Sequence, residues 1–420
     1  MKRKTGTTVI PDWATLERAV DAKSIDFDGT YWTVRRFNRS NPSVDPICSS
    51  PTEETKALLS FLQNFDAGQL VGAQTKFTDS SLGPGQLLAV SGDTPVIYGY
   101  EIADLRPSSG AQTLDGVNAA AIKADIESKF SSGKIISIVD HLPNFLTGGD
   151  WYDKTNRCMR EIAPGGSKHT EFKAYLDRVI AFLDSLSSGG KKVPVLFRIF
   201  HEAKLAAFWW SNYLNDGSGV PYVSDDEYLA SARFAVGYMK TRLTNVIFMY
   251  CQGAANGANS NPDGTTFTPK DDAWYWATFP GVEYCDLVTC DIYSNGAPPF
   301  PGTLDNWPMR DAYSAASRLA ESVSRPFALA ECGFAYSAQS WSTTAGSTPD
   351  EQAASTNEFW TELFLPQLQA KSIQPKFFLF WHGTTTMAFG NTQTANASTM
   401  LLSKLVQMSS RLSRIEIYGF

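Results

Sequence analysis

The chain has 420 residues, 36 of them basic and 43 acidic, and a formal net charge of −7. That acidic balance leaves no electrostatic footprint for nucleic acid, and 43% hydrophobic with 19% charged residues describes a globular protein with a large core, not a disordered, collagenous or small disulfide-stapled chain. The 13% aromatic content, with 11 Trp and 16 Tyr, exceeds what a core needs and points to rings that meet a ligand.

From the N-terminus, Met1-Lys2-Arg3-Lys4-Thr5 is basic, but Gly6 to Asp12 supply no apolar stretch, so no signal peptide is expected in this chain. Residues 1–50 read as an extension packed on the domain that follows, and residues 51–410 as that domain. Residues 411–420 alternate polar with apolar and read as an extra strand, paired with the segment Tyr31 to Arg35. Within the domain, short apolar, β-branched or aromatic runs recur eight times: Gln69 to Gln74, Pro95 to Tyr100, Lys134 to Asp140, Val193 to Phe200, Asn245 to Cys251, Asp286 to Asp291, Phe327 to Cys332 and Lys376 to Trp381. Between them, Ala111 to Phe130, Lys168 to Leu186, Asp225 to Leu243, Arg310 to Val323 and Pro349 to Gln369 place apolar residues three and four apart, as helices do. Nearly continuous apolar strands alternating with helices describe a parallel sheet covered outside by helices, and eight of them close into an α/β (β/α)8 TIM barrel.

Punctuation agrees with this order. Ser224-Asp225-Asp226-Glu227 has the capping-box pattern of a helix start, and Ser188-Gly189-Gly190 that of a helix end. The loops after strands, Leu142 to Ser167, Tyr213 to Ser224, Gly253 to Pro269 and Ser294 to Pro308, are the long ones, as on the active face of a barrel. No apolar run approaches the roughly 20 residues that span a bilayer, so no membrane contact is expected. The six Cys lie mostly in strand-like runs without zinc-ligand spacing and read as buried free thiols.

Two strands end in a carboxylate: Phe197-Arg198-Ile199-Phe200-His201-Glu202 on the fourth and Phe327-Ala328-Leu329-Ala330-Glu331 on the seventh. A carboxylate at the end of a buried run is costly to desolvate and is therefore paired or functional. One such Glu could be a rim salt bridge to Arg198. Two on nearly opposite strands face across a cleft, as glycoside hydrolysis requires of its acid and its nucleophile or base.

The string from Phe197 to Glu202 followed by Phe208-Trp209-Trp210 resembles glycoside hydrolase family 26, whose best-known members are endo-β-1,4-mannanases. In the same order come Asp140-His141-Leu142-Pro143-Asn144, Ala163-Pro164-Gly165-Gly166, Asp291-Ile292-Tyr293, Ala328 to Gly333, and Phe380-Trp381, so the resemblance runs from about Leu70 to about Trp381. It implies that Glu202 is the acid/base and Glu331 the nucleophile of a retaining double displacement, with the carboxyls about 5 to 5.5 Å apart. The pKa of Glu202 should rise while Glu331 is ionised and fall once that charge is spent. The resemblance also implies that Tyr293 hydrogen-bonds the nucleophile, that Trp381 stacks beneath the cleaved sugar, and that His141 and His201 contact that sugar. Trp210 is expected to turn toward the cleft while Trp209 packs in the barrel. Trp151 and Tyr152 are candidates for a neighbouring sugar site. Arg198 is expected to fix Glu331 or a backbone carbonyl, and Asp291 and Glu101 to hold the network in place. Tyr293 and Trp381 could equally cap the barrel core, and either histidine could be structural.

The chain departs from the family pattern where Lys204, Leu205 and Ala207 replace the usual Asn, Gly and Trp, which removes a ring expected near the leaving-group sugar; His382 is a further departure. A β-linked polysaccharide is the expected substrate, mannan first, with β-1,3-xylan and mixed-linkage glucan within the family's reach. A non-catalytic carbohydrate-binding barrel is the alternative of another class. A zinc peptidase is disfavoured because Leu205 stands where the second His of that helix motif belongs. No cofactor or metal is needed for the proposed chemistry. The family favours an extracellular location, whereas short imported oligosaccharides would suit a cytoplasmic enzyme.

Overall fold

A computed structural model describes residues 25–27, 32–34, 44–155, 157–204, 207–212, 223–251, 272–294, 308–334, 373–381, 406–412 and 414–418. Its strands, in chain order, are β1 (Ile25–Phe27), β2 (Trp32–Val34), β3 (Gln69–Gln74), β4 (Ile97–Glu101), β5 (Ile135–Asp140), β6 (Ser187–Ser188), β7 (Lys191–Lys192), β8 (Val195–Ile199), β9 (Val246–Cys251), β10 (Leu287–Ser294), β11 (Phe327–Phe334), β12 (Phe377–Phe380) and β13 (Val406–Gln407). Strands β3, β4, β5, β8, β9, β10, β11 and β12 pair in parallel in that order, and β12 returns to β3 over Phe377–Phe380 and Leu70–Ala73. This is the closed eight-stranded (β/α)8 barrel expected from the sequence, each of its strands at one of the eight apolar runs. β3, β4, β5, β8, β9 and β12 are buried at every position, because helices cover them outside and side chains fill the barrel inside.

Two of the covering helices show why the pattern was readable. His169–Ser185 buries Phe172, Tyr175, Leu176, Val179 and Leu183, and Asp225–Lys240 buries Tyr228, Ala232, Ala235, Val236 and Met239, both along one helical face. Burying each of the larger side chains contributes about 1.5–3 kcal/mol. The Ser224–Glu227 capping box forms as the sequence predicts, with both reciprocal bonds present. Among the described residues no helix is long and apolar enough to cross a membrane, and all six cysteines are free and buried.

Four expectations change. The helix expected from Ala111 starts only at Ala119. Gly116 sits against the Arg106 carbonyl, where a Cβ would approach to 2.6 Å, and its N–H donates to Leu105. Gly189 and Gly190, both at positive φ, turn the β6–β7 hairpin instead of ending a helix. The described residues of 411–420 form no strand: Arg414–Tyr418 is a helical turn that buries Ile417 and Tyr418, with the Tyr418 ring edge-on to Phe130 at 5.2 Å. Five alternating residues fit one helical turn as well as a strand, and the aromatic contact decides. Among the described residues the extra strand is β13, which lies beside β3, while Trp32–Val34 pairs with Ile25–Phe27 and with no described C-terminal residue. The helix expected over Pro349 to Gln369 lies outside the described residues.

Of the expected N-terminal extension, residues 44–50 are tied to the barrel: Ile47 N–H donates to Asp286 Oδ1 at 2.9 Å and Ser49 N–H to the Lys240 carbonyl at 2.7 Å. The next segment forms a helix, Glu53–Asn64, capped by Thr52.

Candidate active site

The C-terminal strand ends converge on one buried polar cluster. Arg198, inside β8 and 2% exposed, reaches across to β10 and β11. Its Nη1 donates to both oxygens of Asp291, at 2.8 and 2.7 Å, and its Nη2 donates to Glu331 Oε1. Of the two roles the sequence left open for Arg198, it holds Glu331, and it holds Asp291 with it. The guanidinium bridge is buried and so lies inside the barrel mouth, not on a solvated rim.

Backbone geometry sets this up. Asp291 and Glu331 are partners across the β10–β11 ladder only because the register slips: Cys290 faces Leu329, but Asp291 faces Glu331. Against β12 the same stretch gains a residue, with Leu329 opposite Phe378 and Cys332 opposite Phe380. A bulge in β11 at Ala330 therefore aims the Glu331 carboxylate, as bulges beside active sites do.

Glu202 lies just beyond β8 and is 4% exposed. Burial first, then the charges of Asp291 and Glu331, push its carboxyl well above the ordinary range, while Arg198 opposes the shift. It stays protonated where an ordinary Glu is ionised, as a general acid must. Burial also pushes Asp291 up to about 7 against the pull of Arg198.

The chain reaches Glu202 through two non-glycine residues at positive φ, Phe200 at 54° and Glu202 at 53°. Each costs on the order of 1–3 kcal/mol and persists because its surroundings determine it. Here the surroundings are three side-chain donors on three successive carbonyls. Tyr228 Oη donates to Phe200 at 2.7 Å, Trp210 Nε1 to His201 at 2.7 Å and Ser211 Oγ to Glu202 at 3.5 Å.

This corrects the expectation for Trp210. It is 0% exposed and stacked on Phe208 at 4.6 Å, so it supports the loop from beneath and offers no face to a ligand. Trp209 is buried too, as expected, with its Nε1 on the Leu142 carbonyl at 3.2 Å.

On the other side, Glu101 ends β4 and clamps His141 after β5. Its Oε1 accepts the His141 N–H at 3.0 Å and its Oε2 lies 2.5 Å from His141 Nδ1. Burial opposes both charges, yet the pairing wins for each: Glu101 is held below the usual carboxylate range and His141 above the usual imidazole range. Around His141 stand the rings of Trp151 at 5.4 Å, Trp381 at 5.7 Å, Phe208 at 5.2 Å and His201 at 4.4 Å. His201 is 1% exposed, and neither ring nitrogen has a hydrogen-bond partner. Burial, with the nearby His141 and Arg198, holds His201 well below the ordinary range and thus neutral.

Trp151 and Trp381 are half-buried beside His141. Tyr152 is 59% exposed and stacks on Phe208 at 5.8 Å. Tyr293 is in β10 opposite Gly333, but its side chain lies outside what is described, as do Leu205 and His382 altogether. Lys204, one of the departures, turns away from the cleft: its Nζ donates to Asp225 at 2.9 Å and rests 4.7 Å from the Trp274 ring centroid. Burial lowers its pKa against the pull of Asp225. Ala207, another, is half-buried and packs on the main core.

Sequence reasoning missed Arg106, which donates through Nη2 to the His141 carbonyl at 2.5 Å, and Tyr175, whose hydroxyl lies 2.9 Å from both oxygens of Asp140. It also missed Tyr228 and Ser211. Most of these act on backbone carbonyls, which leave no residue pattern to read. Two buried carboxyls at the mouth, a bridging arginine and a ring-lined histidine pair together suit nucleophilic displacement at a sugar carbon.

Comparison with known proteins bears on the same strands. A stretch of 265 residues is 29% identical to "Mannan endo-1,4-beta-mannosidase" of Bifidobacterium adolescentis, covering 60% of this chain and 24% of that protein. The chain therefore spans about a quarter of the length of that relative. A protein of the same name from Bacillus subtilis is 23% identical over 304 residues, covering 69% and 74%. Among solved structures, GH26C from a Muricauda species matches with a TM-score of 0.71 at 20% identity, over 91% of this chain and 98% of that one. A modular endo-beta-1,4-mannanase from Cellulomonas fimi gives 0.69 at 22% identity, over 90% and 80%. At such identities the structural likeness carries the fold alone. Residues 47–393, which include both carboxylate-bearing strand ends, match the sequence profile of glycosyl hydrolase family 26, and the chain belongs to that family.

Proposed function

We propose that this protein is a retaining glycoside hydrolase that cuts within the backbone of a β-1,4-mannan. The observation that carries the chemistry is the pairing of a buried Glu202, its carboxyl pushed well above the ordinary range by burial and nearby charge, with an arginine-held Glu331. Glu331 attacks the anomeric carbon while Glu202 gives its proton to the departing glycosidic oxygen. The glycosyl-enzyme ester spends the Glu331 charge, which lowers the pKa of Glu202, so Glu202 then takes a proton from the incoming water. Arg198 orients the nucleophile, and the open nitrogens of His201 are placed to meet sugar hydroxyls. None of these steps calls on a cofactor. The choice of mannan is supported by the names of the two relatives.

Ala207 stands where the family commonly has a Trp near the leaving-group sugar, so β-1,3-xylan and mixed-linkage glucan belong in the test beside mannan. Incubation with that panel and product analysis by mass should give short manno-oligosaccharides. Glu202→Gln should lower kcat on mannan by about 10²–10⁴-fold, and Glu331→Gln should stop turnover. Wild-type rates in either variant would overturn the reading, and binding without cleavage of any glycan would favour a carbohydrate-binding barrel. A polymeric substrate favours an extracellular location, whereas short imported oligosaccharides would suit a cytoplasmic one.

A further inference from the structure

We propose that His201, Asp291 and Glu331 form a binding site for one transition-metal ion of the zinc type, which switches the catalytic centre off. One ligand atom from each of the three lies within 4.8 Å of the others, and all three residues are buried. Zinc bonds to imidazole nitrogen and carboxylate oxygen measure about 2.0–2.2 Å, so small side-chain movements close this group on one ion.

The independent observation is His201. Among the described residues His141 has Nδ1 on Glu101 and His169 has Nδ1 on the Ile162 carbonyl, whereas neither nitrogen of His201 is engaged. A buried imidazole with both nitrogens open, beside two carboxylates, is a ligand set for zinc, cobalt, nickel or copper. Magnesium and calcium prefer oxygen alone.

Arg198 holds the same carboxylates. A carboxylate offers about four acceptor positions, so an oxygen that accepts from Arg198 can also coordinate. The fixed positive charge beside the ion limits its affinity, which makes this a site for a reversible inhibitor and not a resident cofactor. An ion on Glu331 takes up the electron pair that would attack the sugar. The binding half of this inference stands without the hydrolytic reading, and the inhibitory half rests on it.

The test titrates chelator-treated protein with ZnCl2 by calorimetry and with CoCl2 by visible absorption. We expect one ion per chain, affinity about tenfold or more weaker in His201→Gln, no change in His169→Gln, and a raised apparent KM for glycan hydrolysis in Zn2+. Equal affinity in wild type and His201→Gln, or no saturable binding, would overturn the site. Should His201→Gln not fold, Asp291→Asn replaces it. Without any variant, a Co2+ form that shows no paramagnetically shifted imidazole proton also overturns it. One bound ion in a protein that cuts no glycan supports the site and counts against the hydrolytic reading alone.

Discussion

Asp291 reaches the proposed nucleophile through Arg198. Its carboxylate fills one side of Arg198, whose other side holds Glu331, and its charge follows burial as a cause of the raised Glu202 pKa. Removing that charge makes ionised Glu202 less costly, so its pKa falls. Asp291→Asn should therefore move the basic limb of kcat/KM to lower pH, as well as lowering the rate through a looser Glu331. A pH–rate profile checks this, and an unmoved basic limb would assign that limb to another group. Trp210 invites a different substitution. Trp210→Phe keeps the stacked ring but removes the donor to the His201 carbonyl. Leaving that carbonyl unpaired should cost about 1–3 kcal/mol in urea unfolding, with a larger fall in kcat than rise in KM as Glu202 loses its placement. That Glu202, Glu331, Arg198, Asp291, Glu101 and His141 gather at the strand ends was legible, because a charged or ionisable residue within or ending an apolar run is conspicuous. Trp210 was misassigned because an aromatic beside an active site reads the same whether it faces the ligand or the loop beneath it.

Elements carry the placement of these residues. The β11 bulge at Ala330 turns Glu331 toward Asp291, yet Phe-Ala-Leu-Ala-Glu contains neither Gly nor Pro to announce it. Only the pairing of β11 with both neighbours reveals it. By contrast, the Ser224–Glu227 capping box was written in the sequence, since its two partners lie three residues apart and need no tertiary contact. Its helix matters to the site because Tyr228, in the first turn, holds the Phe200 carbonyl. Ser224→Ala should cost about 1 kcal/mol in thermal or urea unfolding, and loosening that first turn should lower kcat by more than a comparable change at the far end of the helix. The C-terminal turn Arg414–Tyr418 and the late start of the helix at Ala119 went unread for the same reason. In each, a single contact settled what periodicity left open: Tyr418 on Phe130, and Gly116 against Arg106.

For the whole molecule, the barrel was the most legible feature, because eight buried strands must each be apolar along their length and each must be followed by a connection. Closure of β12 onto β3 gathers strand ends that are more than 200 residues apart in sequence into one mouth. The central claim is that, in this mouth, Glu331 forms a covalent bond to the sugar. It is tested by incubating the protein with an activated 2-deoxy-2-fluoro-β-mannoside, digesting it, and locating the added mass by peptide mass spectrometry. The account predicts one glycosyl group per chain, on the peptide that contains Glu331 and on that side chain. A label on another residue, or mannan hydrolysis that proceeds with inversion and leaves no label at all, would contradict it.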